Sequence, residues 1–426
     1  MPSVNRRDFV KQSAAGVAAA ALAYHPSSVF ADTPTINVGL LGCGRGRSVA
    51  SAMLRVQGVK IAAVCDPDSN RGKPTADKFK ARYVGSDMRE IFNDDKIQAV
   101  IVATPDHWHG PAAIRAMEAG KHVYVEKPCS HNIREGQIML QTAKKFNRVL
   151  QVGTQARSTV ATREAIQRIH DGEIGEVLQA KCWNSQRRRN IGYGKQTEVP
   201  GHLDFDQWCG PTPKFSYRSN LVHYNWHWFY NFGTGDIGND GSHELDIARW
   251  GLGVDSHPHR VIAAGGKLYF KDDQEFPDTQ YVAYEFNQEK QPKQLVFEQR
   301  IWAPYDEHGH ANGNAFYGTK GYMILGKETG WQQFGERNKL VKSGSCKNDT
   351  NAHTANFITS IRTNATTNAS IAIGHAGATL AHLGNIAVRV GESLEFDAST
   401  EQITNNKEAN ALVGREYQSG HWAAIA

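Results

Sequence analysis

Three closely spaced glycines follow a short apolar run and could bind phosphate groups. The run from Ile36 to Leu41 predicts a strand, and Gly42, Gly44 and Gly46 then predict a tight turn before a helix that begins near residue 48. Gly42 lets the chain reverse sharply, and Gly44 has no side chain where a pyrophosphate must approach the backbone. The free N–H groups and the positive dipole end of the following helix would face the phosphates. This pattern predicts a dinucleotide site.

An acidic residue at the end of the next apolar run indicates which dinucleotide is bound. Residues 60–64 predict a second strand, and Asp66 follows it closely. A carboxylate at this place would accept hydrogen bonds from a ribose diol and repel a 2′-phosphate. We therefore favour NAD, and NADP stays open because Arg71 is close by. In the G-x-G-x-x-G fingerprint the third glycine would fall at Arg47, whereas this chain has Gly46 one place earlier.

The composition is that of a globular protein. The chain has 426 residues, of which 40% are hydrophobic and 21% are charged. Its length suggests about two to three domains. The net charge of +5 is too small to argue for a nucleic acid or a membrane surface as partner, and we expect neither.

The N-terminus predicts an export signal. Arg6 and Arg7 lie in a stretch that resembles a twin-arginine signal, and an Ala-rich, mildly apolar run follows at residues 14–24. Val29 and Ala31 are small residues that could precede a cleavage site. We therefore expect residues 1–31 to be a signal peptide read by the twin-arginine (Tat) machinery, with the mature protein in the periplasm or outside the cell. The alternative is an ordinary frayed terminus. No membrane-spanning segment is expected.

The residues that commonly bind metals give little indication of a metal site. His375, Thr379 and His382 fall on one face of a predicted helix, with Asn385 next to them. No carboxylate or cysteine partner is evident, and hydrogen-bonded histidines explain the spacing equally well, so we assign no metal. The six cysteines show no C-x-x-C spacing, which argues against a zinc knuckle and a disulfide framework.

Strands alternate with helices up to about residue 155. Continuous apolar runs, typical of parallel strands buried on both faces, are found at residues 98–103, 122–125 and 149–152. This order predicts a Rossmann domain at residues 35–155, in which a doubly wound parallel sheet holds its ligand at the carboxyl ends of the strands. The segments from Thr104 to His109 and from Glu126 to Pro128 follow two such strands.

The pattern changes from about residue 156. Long alternating runs, typical of an open antiparallel sheet, are found at residues 177–183, 260–270, 280–286, 294–302 and 314–325. We expect residues 156–426 to form an α+β domain for substrate binding and oligomerisation, with a late helix at 371–391 packed back on the sheet. A monomer would expose a large apolar sheet face, so we expect a homodimer or homotetramer.

The motifs together resemble a known family. They are the glycine-rich turn, Thr104-Pro105 with His109, Glu126-Lys127-Pro128, and the helix that opens around His243. This set resembles the glucose-fructose oxidoreductase, inositol dehydrogenase and rhizopine catabolism (Gfo/Idh/MocA) family over nearly the whole chain that follows the signal. In that family the Lys of Glu-Lys-Pro and the His of an Asp-x-x-x-His motif lie at the nicotinamide. The resemblance therefore implies that Lys127 and His243 are catalytic.

The two implied catalytic residues suit the oxidation of an alcohol. Hydride leaves a carbon only as its hydroxyl group loses a proton. Lys127 near the oxygen would stabilise the developing alkoxide, and His243 titrates in the useful pH range. The resemblance implies an oxidoreductase that acts on the CH–OH group of a sugar, sugar derivative or cyclitol.

The sequence departs from the family at one position. Asn239, four residues before His243, replaces the Asp of the motif. Asparagine can hydrogen-bond Lys127 but cannot accept its proton. Two alternatives follow: His243 acts with Lys127 alone, or Asp236 supplies the missing carboxylate.

Further site residues are expected around the cofactor and the substrate. The cofactor contacts are expected from Gly42, Gly44, Arg45, Gly46, Asp66, Thr104, Pro105, His109, Glu126, Lys127 and Gln155. The substrate candidates are Arg157, Trp226, His227, Tyr230 and Asp240. Aromatic side chains could stack on sugar rings, although so apolar a stretch is more often core. We interpret the basic run Arg187-Arg188-Arg189 as a solvated loop, with contact to an anionic substrate as the alternative.

Three functions stay open. The first is an exported NAD(P)-dependent oxidoreductase whose cofactor remains tightly bound, because no pool of free nicotinamide exists outside the cytoplasm. The second is an NAD-dependent glycoside hydrolase or lyase acting through a transient 3-keto sugar, with His227 or a nearby tyrosine as base. The third is a non-catalytic nucleotide-binding sensor.

Overall fold

The computed structural model describes residues 34–288, 291–345 and 347–425. The predicted signal peptide, residues 1–31, lies outside these ranges. Within them the chain builds two sheets, one after the other in sequence.

Six parallel strands form the first sheet, in the spatial order β3-β2-β1-β4-β5-β6. Their bounds are β1 Ile36–Leu41, β2 Val59–Cys65, β3 Tyr83–Gly85, β4 Ala99–Val102, β5 His122–Val125 and β6 Leu150–Val152. The side chains of β4 are fully buried, as the continuous apolar run predicted, because helices cover both faces of the sheet. This is the doubly wound Rossmann sheet, and the prediction for the first part of the chain is confirmed.

Helices connect these strands. They are α1 Gly46–Met53, α2 Ser69–Phe79, α3 Arg89–Phe92, α4 Asp106–Glu118 and α5 Ile133–Lys145. Side chains cap two of them: Asp68 accepts a hydrogen bond from the backbone N–H of Asn70, and Asn132 accepts one from that of Glu135. Helix α4 begins directly after Pro105, so the segment after β4 is the first turn of a helix rather than an extended turn.

Ten strands form the second sheet, in the order β14-β13-β12-β11-β7-β10-β9-β8-β15-β16. Their bounds are β7 Val177–Asn184, β8 Arg260–Gly266, β9 Thr279–Phe286, β10 Lys293–Arg300, β11 Asn312–Gly318, β12 Gly321–Gly326, β13 Gly330–Phe334, β14 Leu340–Gly344, β15 Leu394–Asp397 and β16 Gln402–Ile403. Only β7 and β10 pair in parallel among these described strands. The predicted, mostly antiparallel sheet is confirmed. The run at 314–325, expected as one strand, is the β11–β12 hairpin, which turns at Thr319 and Lys320.

The remaining helices follow the first sheet in sequence, and the one at Thr350–Thr363 packs against helix α1 of the first domain. These are α6 Val160–His170, α7 Phe205–Cys209, α8 Gly235–Asn239, α9 Gly241–Leu252, α10 Thr350–Thr363, α11 Ile371–Val390 and α12 Lys407–Ala411, with 3-10 turns at Gln155–Ser158, Asn225–Trp228 and Glu336–Asn338. Helix α11 lies on the sheet, where the hydroxyl of Tyr284 donates to the carbonyl of Leu380 at 2.7 Å. Helix α11 has the length and composition of a membrane span, but 78% of that stretch is buried inside the fold, as in a core helix.

The main core of the second domain fixes helix α9. Leu245 and Ile247 of this helix are fully buried together with Phe297 and Phe316 of the sheet and Leu383 of α11. Because α9 is enclosed between a sheet and a second helix, the residues at its amino end have fixed positions.

Candidate active site

A cleft with a volume of about 430 Å³ opens at the carboxyl ends of strands β1, β2, β4 and β5. Gly42, Gly44 and Asp66 line one part of it, and Lys127 and His243 line another. The first sheet supplies all of these except His243, which comes from helix α9 of the second domain. The structure thus brings both sets of predicted residues to one cavity.

The glycine turn leaves no room for a side chain at Gly42, and a side chain at Gly44 would displace Arg71. Gly42 has a φ of +89°, and a Cβ there would lie 2.3 Å from the carbonyl oxygen of Ala103. A Cβ at Gly44 would lie 2.8 Å from the guanidinium of Arg71. Gly46 is buried in the first turn of α1, where a Cβ would meet Leu40, so it serves helix–strand packing and does not line the cleft. These roles fit a pyrophosphate that approaches a bare backbone turn.

Asp66 lies at the end of β2, as a ribose-binding carboxylate should. Its Oδ2 accepts a hydrogen bond from the backbone N–H of Cys43 at 2.7 Å, and its Oδ1 accepts one from that of Asp68 at 2.9 Å. A carboxylate oxygen has more than one acceptor site, so Asp66 can still accept from a ribose. The residues of this cleft therefore fit NAD.

His109 ties the ends of β4 and β5 together. Its ring lies between the carbonyl oxygens of Thr104, 2.9 Å from Nε2, and Pro128, 2.6 Å from Nδ1. Thr104, Pro105 and His109 all line the cleft. The two strand ends recognised in the sequence therefore form one continuous wall.

Glu126 is a buried carboxylate in the same wall. Gln155 donates to its Oε1 at 3.3 Å and to the hydroxyl of Tyr124 at 3.1 Å. Arg45, half exposed at the rim, lies 3.6 Å from the same oxygen. Gln155 thus supports Glu126 from behind and does not line the cleft.

Asn239 links Lys127 to a buried carboxylate. The ammonium nitrogen of Lys127 lies 2.9 Å from both the carbonyl oxygen and Oδ1 of Asn239. The Nδ2 of Asn239 donates to Oδ1 of Asp236 at 3.2 Å, and Asn184 donates to the other oxygen at 2.7 Å. Asn239 therefore lies between Lys127 and Asp236, which is an arrangement that neither sequence-based alternative contained.

Arg188 pairs with Asp236 and Asp240, the two acidic residues on either side of Asn239. Its Nε donates to Oδ1 of Asp236 at 3.0 Å, and its Nη2 pairs with Asp240. Its Nη1 donates to the hydroxyl of Tyr224 at 3.2 Å. The interpretation of Arg188 as part of a solvated loop is therefore wrong. A signal that could have found it was its place four residues after strand β7, whose last residue, Asn184, also donates to Asp236.

The surroundings set the charges of these groups. Burial raises the pKa of Asp236 and outweighs the opposing charge of Arg188. Burial also acts against ionisation of Asp240, but the positive charges of Lys327, Lys127 and Arg188 outweigh it and hold the pKa of Asp240 well below its usual range. Asp240 is thus an ionised partner of Arg188.

His243 is a neutral imidazole at the cleft wall. Burial, together with the charges of Lys327 and Lys127, lowers its pKa well below the ordinary value. Its Nδ1 is buried and has no hydrogen-bond partner among the described residues. A neutral ring that lines the cavity can accept a proton or a hydrogen bond from a ligand.

Trp226 and His227 lie in the cleft, as expected for substrate contacts. Their rings stack with a centroid distance of 3.6 Å, and Nδ1 of His227 lies 2.5 Å from the carbonyl oxygen of Tyr224. Burial lowers the pKa of His227 to about 3. Tyr224, which the sequence offered as an aromatic residue that could stack on a sugar ring, and His223, which the sequence did not single out, also line the cleft.

Arg157 and Tyr230 lie elsewhere. Arg157 makes two hydrogen bonds of 2.8 Å to the carboxylate of Asp246, and this ion pair is buried. The hydroxyl of Tyr230 donates to the carbonyl of Glu275 at 2.8 Å, and the guanidinium of Arg389 lies over its ring. Neither residue lines the cleft. Arg157 instead fixes helix α9 against the 3-10 turn at Gln155–Ser158.

A Rossmann domain whose cleft receives a histidine from an attached α/β domain defines a two-domain, NAD-binding oxidoreductase. Residues 36–154 match the model of the Gfo/Idh/MocA oxidoreductase family, NAD-binding Rossmann fold, and residues 183–291 and 332–423 match the family's C-terminal alpha/beta domain. The chain belongs to the Gfo/Idh/MocA family. Its Rossmann domain binds NAD.

Curated relatives are similar over part of the chain. The scyllo-inositol 2-dehydrogenase (NAD(+)) of Bacillus subtilis is 32% identical over 146 residues, which are 34% of this chain and 42% of that protein. The alpha-N-acetylgalactosaminidase of Shewanella oneidensis is 29% identical over 211 residues, 43% of this chain and 46% of that protein. The chain thus spans less than half of the length of these relatives.

Solved structures share the whole fold. A levoglucosan dehydrogenase in complex with NADH and levoglucosan has a TM-score of 0.64 and 20% identity, covering 87% of this chain and 99% of that one. The aldose-aldose oxidoreductase of Caulobacter crescentus, complexed with glycerol, has a TM-score of 0.65 and 16% identity, covering 85% and 100%. At these identities the likeness establishes the fold.

Proposed function

We propose that the protein is an exported, NAD-dependent oxidoreductase that acts on a CH–OH group of a sugar, sugar derivative or cyclitol. The observation that carries the proposal is that Lys127, at the end of a Rossmann strand, and His243, from the second domain, line one cleft beside the Gly42 turn. NAD, when bound there, supplies the hydride acceptor or donor.

Lys127 is placed to stabilise negative charge on a substrate oxygen. Its ammonium group has three N–H bonds, and Asn239 offers two acceptors at 2.9 Å, which leaves an N–H for the substrate. The charge of Lys127 is held by neutral acceptors rather than by a direct ion pair with Asp236. It therefore remains available to an alkoxide that forms on a substrate in the cleft.

His243 is placed to take the hydroxyl proton. Its ring is neutral, so one ring nitrogen is free to accept the proton. Burial and the charges of Lys327 and Lys127 lower its pKa and make it a weaker base than a free imidazole, which differs from the sequence-based expectation that it titrates in the useful pH range. Lys127 and His243 thus divide the work between charge stabilisation and proton acceptance.

The names of the relatives support the substrate class. A scyllo-inositol 2-dehydrogenase acts on a cyclitol, and levoglucosan dehydrogenase and aldose-aldose oxidoreductase are named for carbohydrates.

We further propose that NAD stays bound through each turnover, because an exported enzyme meets no pool of free cofactor. Export itself rests on Arg6 and Arg7.

The decisive experiment identifies the cofactor and its redox change. The purified mature chain is denatured by heat, and the released nucleotide is identified by mass spectrometry. The intact protein is then mixed with single sugars and cyclitols while the absorbance of the reduced nicotinamide is followed. We expect NAD in the released fraction and a change in absorbance with at least one compound. Absence of both would sink the oxidoreductase proposal, and exchange with added labelled NAD on every turnover would contradict tight binding.

A glycoside hydrolase or lyase is the second candidate. Relatives named glycosyl hydrolase family 109 protein are 30% identical over 163 residues, and Tyr224 and His227 supply further polar groups in the cleft beside Lys127 and His243. Such groups could remove a carbon-bound proton next to a transient ketone. Release of a chromogenic aglycone that depends on bound NAD, without net reduction of the cofactor, would favour this reaction.

We also propose that the protein is a homodimer or homotetramer. Ile262 on β8 and Tyr281 on β9 are exposed on the outer face of the second sheet. Covering such apolar side chains favours association. Light scattering of the mature chain should give a multiple of the monomer mass, and Tyr281→Arg should lower the measured mass.

The export proposal is tested by replacing Arg6 and Arg7 with lysine, which should leave the precursor in the cytoplasm.

A further inference from the structure

Two histidines and a glutamate from three separate segments meet at a place remote from the cleft. His257 precedes strand β8, His375 lies on helix α11, and Glu401 lies in the turn between β15 and β16. The Nε2 of His375 is 2.7 Å from Oε2 of Glu401, and the Nε2 of His257 is 3.4 Å from Oε1. One ligand atom from each of the three residues lies within 4.8 Å of the others.

This cluster is separate from the NAD cleft. Helix α11 reaches the site region through Asn385, which donates to the carbonyl of Thr234 at 2.7 Å. Asn385 is ten positions after His375 in the helix, which corresponds to about 15 Å along the helix axis. None of the three residues of the cluster lines the cleft. A function of the cluster is thus independent of the proposed reaction.

The three side chains form a recognised donor set. Two imidazole nitrogens and one carboxylate oxygen make up the protein ligands of several zinc sites, with a fourth position left for water. In a tetrahedral site with bonds of about 2.1 Å the ligand atoms lie about 3.4 Å apart. The separation of 3.4 Å between His257 and Glu401 matches this value, whereas that of 2.7 Å between His375 and Glu401 is shorter, so side-chain rotation that parts His375 from Glu401 would admit an ion.

The cluster is shielded on one side and reachable from the other. The side chain of His375 is 4% exposed, whereas those of His257 and Glu401 are 13% and 15% exposed. The buried side provides rigid support, and the partly exposed side gives an ion and its water a path of access. Both rings direct Nε2 toward the same carboxylate, and both Nδ1 atoms lack a hydrogen-bond partner among the described residues.

The turn that carries Glu401 is ordered. The backbone N–H of Glu401 donates to the carbonyl of Asp397 at 2.7 Å. The carboxylate is therefore presented from a fixed position.

We propose that His257, His375 and Glu401 bind a divalent transition metal ion, with zinc as the occupant that best matches the donor set. The ion joins the β15–β16 hairpin to helix α11 and to the segment before β8. Its role is structural: it stabilises the edge of the second sheet where the two-residue strand β16 has few ladder hydrogen bonds of its own. The sequence offered His375 on a helical face with no carboxylate partner, and the fold supplies that partner from residue 401.

The test uses the untagged mature chain, first treated with a chelator and then titrated with Co²⁺ or Zn²⁺ alone. We expect a single Co²⁺ per chain with the visible absorption of a four-coordinate site, its displacement by Zn²⁺, and a melting temperature that rises by several degrees on addition of Zn²⁺. Glu401→Gln and His257→Gln should each weaken metal binding at least about tenfold. His308→Gln, which alters an exposed histidine outside the cluster, should leave it unchanged.

Two results would overturn the proposal. If the unmodified chain takes up no Co²⁺ and its melting temperature does not respond to Zn²⁺ or chelator, the cluster is a hydrogen-bonded ion network without a metal. If Glu401→Gln and His257→Gln bind Co²⁺ as the unmodified chain does, the ion lies elsewhere. Neither readout depends on catalytic activity, and circular dichroism verifies that both variants are folded.

Discussion

The ammonium nitrogen of Lys127 lies 2.9 Å from Oδ1 of Asn239, and the amide nitrogen of Asn239 lies 3.2 Å from Asp236. The amide orientation follows from these two contacts, because only its oxygen can accept from an ammonium group and only its nitrogen can donate to a carboxylate. Asn239 thus orients Lys127 while it lies between the ammonium group and the carboxyl group of Asp236.

Replacement of Lys127 should remove catalysis and leave the cofactor in place. In Lys127→Met we expect the turnover rate to fall by about 10²–10⁴-fold, because the charge that stabilises the alkoxide is lost. NAD content, measured after heat release, should be unchanged, since the glycine turn and Asp66 are intact. Lys144→Met, on the exposed end of α5, is the matched control and should retain full activity. Normal turnover by Lys127→Met would contradict the catalytic role assigned to Lys127.

Asn239 should act by positioning Lys127. Asn239→Ala removes an acceptor from Lys127 and a donor from Asp236, and we expect about a tenfold lower kcat with little change in KM. Unlike alanine, an aspartate in Asn239→Asp keeps an acceptor oxygen for Lys127. It also places a second carboxyl group beside Asp236, which raises the pKa of the pair of carboxyl groups. This variant should therefore be active at low pH, while the pair holds a proton, and lose activity as the pH rises. A pH–rate profile identical to that of the unmodified chain would contradict this role.

Gly42 should be required for cofactor binding as well as for backbone geometry. An alanine there must adopt a φ of +89° with its Cβ 2.3 Å from the carbonyl of Ala103. Gly120 has a φ of +79° with open space around it, so Gly120→Ala carries similar backbone strain without the steric contact. We expect both substitutions to destabilise the fold by about 1 kcal/mol or more, and only Gly42→Ala to lose NAD. Equal NAD content in the two purified variants would refute the assigned role.

Buried neutral histidines should make the fold sensitive to acid. Burial and the nearby charge of Arg415 lower the pKa of His107 from 6.5 to about 3. Because the folded-state pKa is below the unfolded value, the unfolded chain takes up the proton first, and stability is lost as the pH falls from about 6.5 toward 3. His107→Gln should reduce the slope of unfolding free energy against pH by up to about 1.4 kcal/mol per pH unit in this range. Urea unfolding at a series of pH values measures both slopes, and equal slopes would contradict the assignment.

The sequence by itself determined the local features of the cofactor site and the fold class. The glycine turn, Asp66 and the wall from Thr104 to His109 belong to strand ends, where short-range geometry places residues that are close in sequence. Parallel strands buried on both faces leave continuous apolar runs, and strands of the second sheet leave alternating ones. Both patterns are properties of short segments, so they were readable without a structure.

Only the tertiary structure decided which distant side chains became partners. It paired Arg188 with Asp236 and Asp240, directed Arg157 to Asp246 instead of the cleft, and brought Glu401 to His375. These contacts join segments that are tens of residues apart, and their formation depends on how strands and helices pack around a shared core. Local spacing cannot specify such contacts, because a buried charge finds the partner that the packing of the whole chain places beside it.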